Sequence, residues 1–312
     1  MERQVRCLHP ALVTHDDYDK DHCWQYDIRL NNREDDLVLA GLTEETVSTL
    51  TVHDFEIRPI FKPSSEWRAA IEFIKRHEWL GNMAKYPTHY FGAYYGDILA
   101  GVVVMGYPNA SKDGSERLIQ RGACVSWSPK GLASHMLSKA MHWMVHNTPY
   151  RIFTCYSDPE AKELGTIYQA LNFYYCGRTG TVTKYEHPTK PGQWTTSRIF
   201  RNHRMYRVYA EKLGIEWGDG GRCSDSSEDP TAWDYQRNPG GGGMIWSNIP
   251  DDIEEALRQA GRDAQKAAAT RPIPAKHRYV YVLGRDRRET RALRKAFEAR
   301  TKTYPPPKVR GE

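Results

Sequence analysis

The side chains and turns best suited to chemistry lie in residues 118–177. The apolar stretch 118–127 predicts a strand, and the turn at 128–135 leads into a helix, so backbone N–H groups at the helix start would form an anion site. A second predicted strand ends at Asp158, whose carboxylate would face the same end of the sheet. The sequence therefore predicts an anion site and a carboxylate at the same end of the sheet.

Five residues are candidates for direct roles. Asp158 could act as a general base if partial burial raised its pKa, or could instead cap a helix, since Asp-Pro-Glu starts helices well. Arg121 lies in a largely apolar strand and could hold a carboxylate or phosphate. The Ser134 hydroxyl could bind substrate. His89 could titrate and Tyr90 could stack on a base, although a histidine at a strand start is more often structural.

The elements that must position these residues follow the order β-α-β-β-β-α-β-α-β over roughly 55–200. Three predicted strands in 89–127 without an intervening helix argue against a doubly wound sheet. The order is similar to that of the GNAT (acyl-CoA N-acyltransferase) superfamily. We therefore expect an α/β fold with a central mixed, splayed β-sheet flanked by helices.

The turn after the first of these strands resembles the pyrophosphate turn of GNAT enzymes. Those enzymes use Q/R-x-x-G-x-G/A, whereas this chain has Ser128-x-x-Gly131-x-Ala133, without the first basic residue. The alternative is an ordinary helix start in which Ser128 is the cap and Pro129 the first helical residue. The resemblance implies a cofactor-binding set, with a lysine partly replacing the missing charge: Lys130, Gly131, Leu132 and Ala133.

Composition and periodicity divide the chain into four segments. An acidic extension at 1–54 contains two stretches, WQYDIRL and LVLAGL, that favour short strands. The catalytic domain covers 55–213. Residues 214–271 form a Gly- and acid-rich insertion with a short helix, predicted to be flexible. Residues 272–312 give a strand, KHRYVYVLG, that returns to the sheet, and then a basic tail.

Charge is distributed very unevenly along this chain of net charge +5. Residues 1–54 hold 12 acidic and 5 basic residues, whereas 276–312 hold 12 basic and 4 acidic residues. A basic tail beside a basic central domain favours a polyanionic partner such as nucleic acid. The absence of a long apolar run and of an apolar N-terminal core predicts a cytoplasmic protein that does not contact membranes.

Cysteines and histidines do not indicate a metal site by their spacing. Cys7, His9, His22 and Cys23 match no standard zinc motif, so no metal ligand is predicted from the residues. The six cysteines are expected to be thiols rather than a disulfide framework. Oligomeric state is left open, with a homodimer as one possibility.

The candidate residues together resemble the Mom proteins of bacteriophages. The resemblance rests on Arg121, Ser134, Asp158 and Tyr168, preceded by His89-Tyr90 and followed by KHRYV and a basic tail. Mom proteins are GNAT-like and convert adenine in duplex DNA to N6-carbamoylmethyl-adenine, which protects phage DNA from restriction. One departure is Ala123, where the family tends to have an acidic residue two positions after the strand arginine.

The resemblance implies roles for these residues and leaves the donor open. Asp158 would remove a proton from N6, and Tyr168, His89 and Tyr90 would position the base or donor. Arg121 and Ser134 would hold the donor or a phosphate. Acetyl-CoA or a related donor and iron dependence are both possible. Double-stranded DNA would be bound by the basic residues near the C-terminus: Lys276, Arg278, Arg287, Arg288, Arg291, Arg294 and Lys295.

Two other functions compete with DNA modification. An ordinary GNAT N-acetyltransferase would use acetyl-CoA on a small amine or a protein. A nucleic-acid-binding protein on a decayed GNAT scaffold would need the basic tail but not Asp158.

Overall fold

The computed structural model describes residues 23–84, 86–108, 114–216, 246 and 249–308. The chain divides into two compact units: residues up to Gly180 together with those from Pro274 on, and residues Thr181–Ile273. Cys7, His9 and His22, and most of the insertion predicted to be flexible, lie outside the described residues.

The first unit contains the sheet and helices expected of the catalytic domain. Its strands are β1 (Glu56–Ile60), β2 (Pro87–Tyr95), β3 (Ile98–Gly106), β4 (Glu116–Cys124), β5 (Ile152–Ser157), β6 (Tyr174–Arg178) and β10 (His277–Val282). Its helices are α1 (Trp24–Asn31), α2 (Arg33–Ala40), α3 (Glu44–Ser48), α4 (Ser65–His77), α5 (Leu132–Asn147), α6 (Thr166–Ala170) and α9 (Arg287–Glu298).

The strands form one mixed sheet in the order β1-β2-β3-β4-β5-β10-β6. All neighbours are antiparallel except β4 and β5, which pair in parallel only from Glu116–Leu118 to Ile152–Thr154. Beyond Leu118 and Thr154 the two strands have no mutual pairing, so the sheet splays at their carboxyl ends. This mixed, splayed sheet flanked by helices confirms the GNAT-like fold class. The C-terminal strand β10 lies between β5 and β6.

The core explains why the central strands read as apolar runs. In β3, the residues from Ala100 to Gly106 are all buried, because helices α4 and α5 both pack against this strand. The β2–β3 hairpin turns at Gly96, whose φ of 56° suits a residue without Cβ. Ser64 caps α4 by accepting a hydrogen bond from the Trp67 amide at 3.0 Å.

The prediction of short strands near the N-terminus is wrong. WQYDIRL lies in α1 and LVLAGL begins within α2. In α1 the buried residues are Trp24, Asp27 and Ile28, whose spacing of three and four is helical rather than alternating. The helix therefore buries one side against the rest of the unit.

The second unit has a small antiparallel sheet and two helices. Its strands β7 (Val182–His187), β8 (Lys190–Thr195) and β9 (Thr270–Ile273) have the order β8-β7-β9. Helices α7 (His203–Leu213) and α8 (Asp251–Ala267) share a small core that includes Met205, Tyr209 and Leu257. Ser197–Arg201 form a 3-10 helix. Within the described part of the chain, no helix combines the length and apolarity needed to cross a bilayer.

Candidate active site

Three carboxylates and one ammonium group gather beside the splayed ends of β4 and β5. Glu78 follows α4, Asp158 follows β5, Glu163 follows the short 3-10 turn after Asp158, and Lys276 precedes β10. We call these four residues the acid cluster. Three separate chain segments meet here, so the cluster exists only in the folded protein.

Asp158 is buried, with 6% of its surface exposed, and both of its carboxylate oxygens are engaged. Oδ2 lies 2.8 Å from Nζ of Lys276, and Oδ1 accepts a hydrogen bond from the Glu160 amide at 3.0 Å. The second contact caps the 3-10 turn Pro159–Ala161, as the alternative interpretation of Asp-Pro-Glu expected. Asp158 therefore combines a structural cap with an ion pair in which the carboxylate is buried and the lysine is partly exposed.

Glu163 folds back onto Asp158. Lys162 has a φ of 59°, which reverses the chain, and Oε2 of Glu163 then accepts the Asp158 backbone N–H at 2.8 Å. Oε1 accepts the indole N–H of Trp79 at 2.9 Å. Burial raises the pKa of Glu163 to about 7, and the nearby Asp158 charge adds to the rise.

The pKa of Glu78 is also raised, and the main cause is again burial. Its exposed fraction is 6%, and burial raises its pKa to about 7 even though Nε of Arg121 lies 3.7 Å from Oε2. The Glu163 charge raises this pKa further, whereas Arg121 and Lys276 lower it. Two coupled carboxyl groups with pKa values near neutrality are suited to proton transfer at physiological pH.

Arg121 is partnered, as its place in an apolar strand requires. It donates to the backbone oxygen of Asn82 at 2.9 Å and to the Asn82 side-chain oxygen at 3.1 Å. A one-residue bulge at Gln120 precedes it in β4. The carboxylate beside this arginine is Glu78 rather than a residue at position 123.

Tyr168 lies against the acid cluster from the α6 side. Its ring packs 5.5 Å from that of Tyr279. Burial raises the tyrosine pKa well above its usual value, and the charges of Glu163 and Glu78 add to the rise. At neutral pH Tyr168 is therefore a hydrogen-bond donor that keeps its proton.

The turn before α5 has the backbone expected of a helix start. Gly131 precedes the helix with a φ of 92°, and the Ser134 hydroxyl donates to its carbonyl oxygen at 2.9 Å. Leu132 is fully buried, Ala133 is half-buried and Lys130 is exposed. The Ser134 hydroxyl is thus engaged by its own helix in this conformation.

The turn lacks a basic side chain at position 128, but one arrives from elsewhere. The Arg29 guanidinium of α1 donates to the Ser128 hydroxyl at 3.1 Å and to the Ser128 carbonyl at 3.3 Å. The sequence could not indicate this contact, because the two residues are 99 positions apart.

The comparison with protein families decides the relationship. The family model described as "Mom protein family" matches residues 60–219, which is about half of the chain. The chain belongs to the Mom family. The matched range includes Glu78, Arg121, Asp158, Glu163 and Tyr168, but not α1 or β10. No curated protein sequence matches the chain.

Solved structures similar to this Mom-family chain are GNAT acetyltransferases. A GNAT family acetyltransferase from Elizabethkingia anophelis with acetyl-CoA bound is 15% identical, with 41% of this chain and 80% of that chain covered and a TM-score of 0.28. A Bacillus subtilis acetyltransferase in complex with CoA is also 15% identical, with the same coverage and a TM-score of 0.30. A probable acetyltransferase from Staphylococcus epidermidis is 11% identical, with 45% of this chain and 91% of that chain covered and a TM-score of 0.32.

His89 and Tyr90, the other pair on which the Mom resemblance rests, lie in a different neighbourhood. Nδ1 of His89 lies 2.9 Å from the Thr88 hydroxyl, and burial together with the Arg117 and Lys62 charges lowers the His89 pKa. Tyr90 is a core residue with 2% of its surface exposed. Among the described residues, neither side chain contacts the acid cluster.

The basic residues predicted to bind DNA divide into three groups. Lys276 belongs to the acid cluster through its ion pair with Asp158. Arg278 is half-buried in β10, and its Nε has no hydrogen-bond partner in the described structure. The remaining five lie on α9, which has no buried residue, and all but Arg294 are exposed: Arg287, Arg288, Arg291, Arg294 and Lys295.

The described part of this Mom-family chain offers no ready metal centre. No three His, Cys, Asp or Glu side chains in it are placed to hold a metal ion together. The iron dependence implied by the resemblance therefore has no candidate ligand set among these residues, and no step below is assigned to iron.

Sequence reasoning missed Glu78, Glu163 and Arg29. Each of the glutamates sits in a stretch rich in ordinary charged residues, so neither has a local signal. An acidic residue a few positions after a predicted strand-end aspartate could have suggested Glu163. Glu78 and Arg29 act through contacts with segments far away in the sequence.

Proposed function

We propose that this Mom-family protein modifies adenine in double-stranded DNA, forming N6-carbamoylmethyl-adenine and thereby protecting the DNA from restriction. The observation that carries the proposal is the family match, whose range contains the three carboxylates of the acid cluster, two of them glutamates of pKa about 7. Stated more generally, the protein would be a transferase with a GNAT-like fold. The identity of the donor stays open.

The reaction requires a proton-accepting group whose pKa is close to neutral pH. The new bond joins a CH2 carbon of the donor to N6 of adenine. The bond between that carbon and the rest of the donor breaks, the leaving group departs with its electron pair, and N6 loses one proton. Asp158 is a candidate acceptor, but its oxygens are held by Lys276 and the Glu160 amide. Glu163 and Glu78 fit proton transfer at neutral pH better, because a base works best when its pKa is close to the working pH. Tyr168 would donate a hydrogen bond to the base or the donor.

The substrate must be presented to this buried site. N6 lies on the paired edge of adenine, so the nucleotide would be flipped out of the duplex. The exposed cations of α9 would hold backbone phosphates, which gives affinity and orientation without reading sequence.

Nucleoside mass spectrometry tests the proposal directly. DNA from bacterial cells that express the full chain should contain a deoxyadenosine derivative in which a carbamoylmethyl group replaces one hydrogen. The Glu163→Gln variant, expressed to the same level, should give much less of it. DNA that contains only ordinary nucleosides, although folded protein is present, would contradict the proposal.

The second candidate is an N-acetyltransferase that uses acetyl-CoA on a small amine or a protein. The GNAT-like sheet and the Gly131 turn favour it. It predicts acetyl-CoA binding by the purified protein and acetylated amine products, with DNA unmodified. Mass spectrometry of nucleosides and calorimetry with acetyl-CoA therefore separate the two functions.

A further inference from the structure

The peptide groups on either side of Glu78 are bound by one side chain from α1. Helix α4 ends at His77, so the His77 carbonyl and the Trp79 amide lie at the helix end, where backbone groups need partners from outside the helix. Nε2 of Gln25 donates to the His77 carbonyl at 2.6 Å, and Oε1 of Gln25 accepts the Trp79 amide at 3.2 Å. A primary amide can do both at once, because it carries a carbonyl acceptor and an NH2 donor. Gln25 therefore fixes the backbone before and after Glu78.

The segment that Gln25 binds also reaches Glu163. The indole of Trp79 donates to Oε1 of Glu163 at 2.9 Å. Trp24 of α1 contacts this indole edge-on, with 5.1 Å between the ring centroids. Trp24 is 6% exposed and belongs to a small core with Ala161, which lies in the 3-10 turn that leads to Glu163. Helix α1 therefore supports both segments that carry the buried glutamates.

Two further polar side chains from the N-terminal helices bind the end of α4. Nδ2 of Asn32, between α1 and α2, donates to the Arg76 carbonyl at 3.4 Å. The buried Asp36 of α2 pairs with the Arg76 guanidinium at 3.1 Å, and its Oδ2 lies 3.7 Å from Nδ1 of His77. The position of this helix end, and with it the start of the Glu78 segment, is thus set by residues from another part of the chain.

We propose that Gln25 and Trp79 are positioning residues that fix Glu78 and Glu163 for proton transfer. A general base works only within hydrogen-bond reach of the proton that it removes, and a displacement of about 1 Å can lower a rate about 100-fold. Helix α1 lies outside the family match of residues 60–219, so the match does not include the side chain that binds both peptide groups around Glu78. The role in catalysis rests on the proposed function, whereas the position and ionisation of the two glutamates do not.

NMR titration of the carboxyl groups measures the effect on the cluster without reference to activity. In the full chain labelled with 13C at the glutamate carboxyl carbons, the signals of Glu78 and Glu163 are assigned from their Gln variants. Trp79→Phe removes the N–H donor to the ionised Glu163, so the pKa of Glu163 should rise from about 7 to about 8. Gln25→Met keeps a side chain of similar size but frees the backbone around Glu78. Water then reaches that carboxyl group, and its pKa should fall from about 7 towards the ordinary value.

The changes can be assigned to the lost contacts because the charged and titratable groups that face the two glutamates stay in place: Arg121, Asp158, Tyr168 and Lys276. Gln259→Met is the matched control. It removes an exposed side-chain amide of α8 that bonds to Asp263 and Arg262 on its own helix, so both titrations should be as in the unmodified protein. If Gln25→Met does not fold, Trp79→Phe alone decides, since it removes one N–H and keeps an aromatic ring.

The same variants should change the rate of modified-adenine formation. Gln25→Met should lower it about tenfold or more, because the base is no longer held in place. Trp79→Phe should move the midpoint of the pH–rate profile upwards by as much as it moves the Glu163 titration. A role of Gln25 and Trp79 in packing alone would lower the melting temperature and leave the pH profile where it is.

Two results would overturn the inference. The first is that Gln25→Met and Trp79→Phe titrate like the Gln259→Met control although the melting temperature falls, which would make α1 a packing element only. The second is that both titrations shift while the rate and the pH profile of modification stay the same. DNA without modified adenine would contradict the proposed function, and shifted titrations would still support the positioning of the two glutamates, so the two failures are distinguishable.

Discussion

Glu78 in the acid cluster and Glu289 on the basic helix α9 both lie beside an arginine, yet their pKa values move in opposite directions. Oε2 of Glu78 is 3.7 Å from Arg121, and its pKa rises to about 7. Oε1 of Glu289 is 2.8 Å from Arg151, and its pKa falls to about 2. The Glu78 side chain is 8% exposed and that of Glu289 is 28% exposed. For Glu78, the effect of burial on the pKa is larger than that of the more distant arginine. For Glu289, the direct hydrogen bonds that it accepts have a larger effect on the pKa than burial does.

The difference separates two tasks. The acid cluster can gain and lose protons near pH 7, and its members constrain one another through buried contacts. The cations of α9 lie on a helix without a buried residue and act almost independently in water. Substitutions should therefore have large effects on rate, pH dependence and stability in the cluster, and small, additive effects on DNA affinity along α9.

The largest effect should follow Glu163→Gln. Removing the ionisable group should lower the modification rate by roughly 100-fold or more, since general-base catalysis typically contributes that much. In the unmodified protein the rate should increase as pH rises through about 7, because the carboxylate is the active form. The rate of modified-adenine formation measured from pH 5.5 to 8.5 checks both points.

Glu72→Gln is the matched control for that substitution. Glu72 is an exposed residue of α4 whose one ion pair among the described residues is with Lys75 at 2.7 Å, so activity and pH profile should stay as in the unmodified protein. If Glu163→Gln and Glu78→Gln both kept the full rate and the same pH profile, the proton acceptor would lie outside these glutamates, and Asp158 would be the remaining candidate in the cluster.

Stability should depend on pH through the same two groups. A glutamate whose pKa is raised in the folded state from 4.5 to about 7 favours folding below pH 4.5, and this contribution is lost as pH rises through 7. The shift corresponds to about 3 kcal/mol for one group. His77 acts in the opposite sense, since burial lowers its pKa from 6.5 to about 4 and its contribution is lost as pH falls.

Comparing a Glu78 variant with the unmodified protein therefore separates the contribution of Glu78 to stability from that of His77. The unfolding free energy of Glu78→Gln minus that of the unmodified protein should increase by up to about 3 kcal/mol between pH 4.5 and pH 8. Urea unfolding at several pH values measures it. A difference that stayed constant over this range would mean that the Glu78 carboxyl has an ordinary pKa.

A smaller loss should follow Lys276→Met. The substitution leaves the buried Asp158 carboxylate without its ammonium partner, which should lower the unfolding free energy by about 1–3 kcal/mol. Lys295→Met on α9 should change it by less than about 0.5 kcal/mol, because that side chain is exposed. Adding Asp158→Asn to Lys276→Met should recover part of the loss. An equal effect of the two lysine substitutions would show that the ion pair contributes nothing.

The sequence was informative where function depends on local pattern. The order of most strands and helices along the chain, the Gly131 turn and the position of Asp158 at a strand end could be predicted, because each depends on periodicity or on backbone chemistry within a short segment. The partners of these residues could not. Glu78 meets Arg121 and Glu163 only because the strands splay and α4 ends beside them, and Lys276 reaches Asp158 because β10 pairs with β5.

The error in α1 has a related cause. WQYDIRL mixes aromatic, branched and polar residues in a way that fits a strand as well as a helix over seven residues. Tertiary packing decides, because Trp24 packs 5.1 Å from Trp79 and Ile28 is buried beside Ala161. The helical conformation places Arg29 against Ser128, and this contact cannot be predicted from residues 24–30 alone.

The smallest effects should come from single arginines of α9, where two neighbours make a matched pair. Arg291 is exposed and makes no hydrogen bond, ion pair or ring contact with another described residue. Arg291→Ala should therefore weaken DNA binding a few-fold, reduce the slope of log affinity against log salt by about 1, and leave stability unchanged. Arg294 donates to the Val282 carbonyl at 3.1 Å and lies 5.4 Å from the Tyr281 ring centre. Arg294→Ala should therefore also lower the unfolding free energy by about 1 kcal/mol. Fluorescence anisotropy with a duplex at several salt concentrations, together with urea unfolding, separates the two effects. If Arg291→Ala left the salt slope unchanged, the exposed charge of α9 would not face DNA. The proposal that α9 binds backbone phosphates would then be wrong, whatever the acid cluster does.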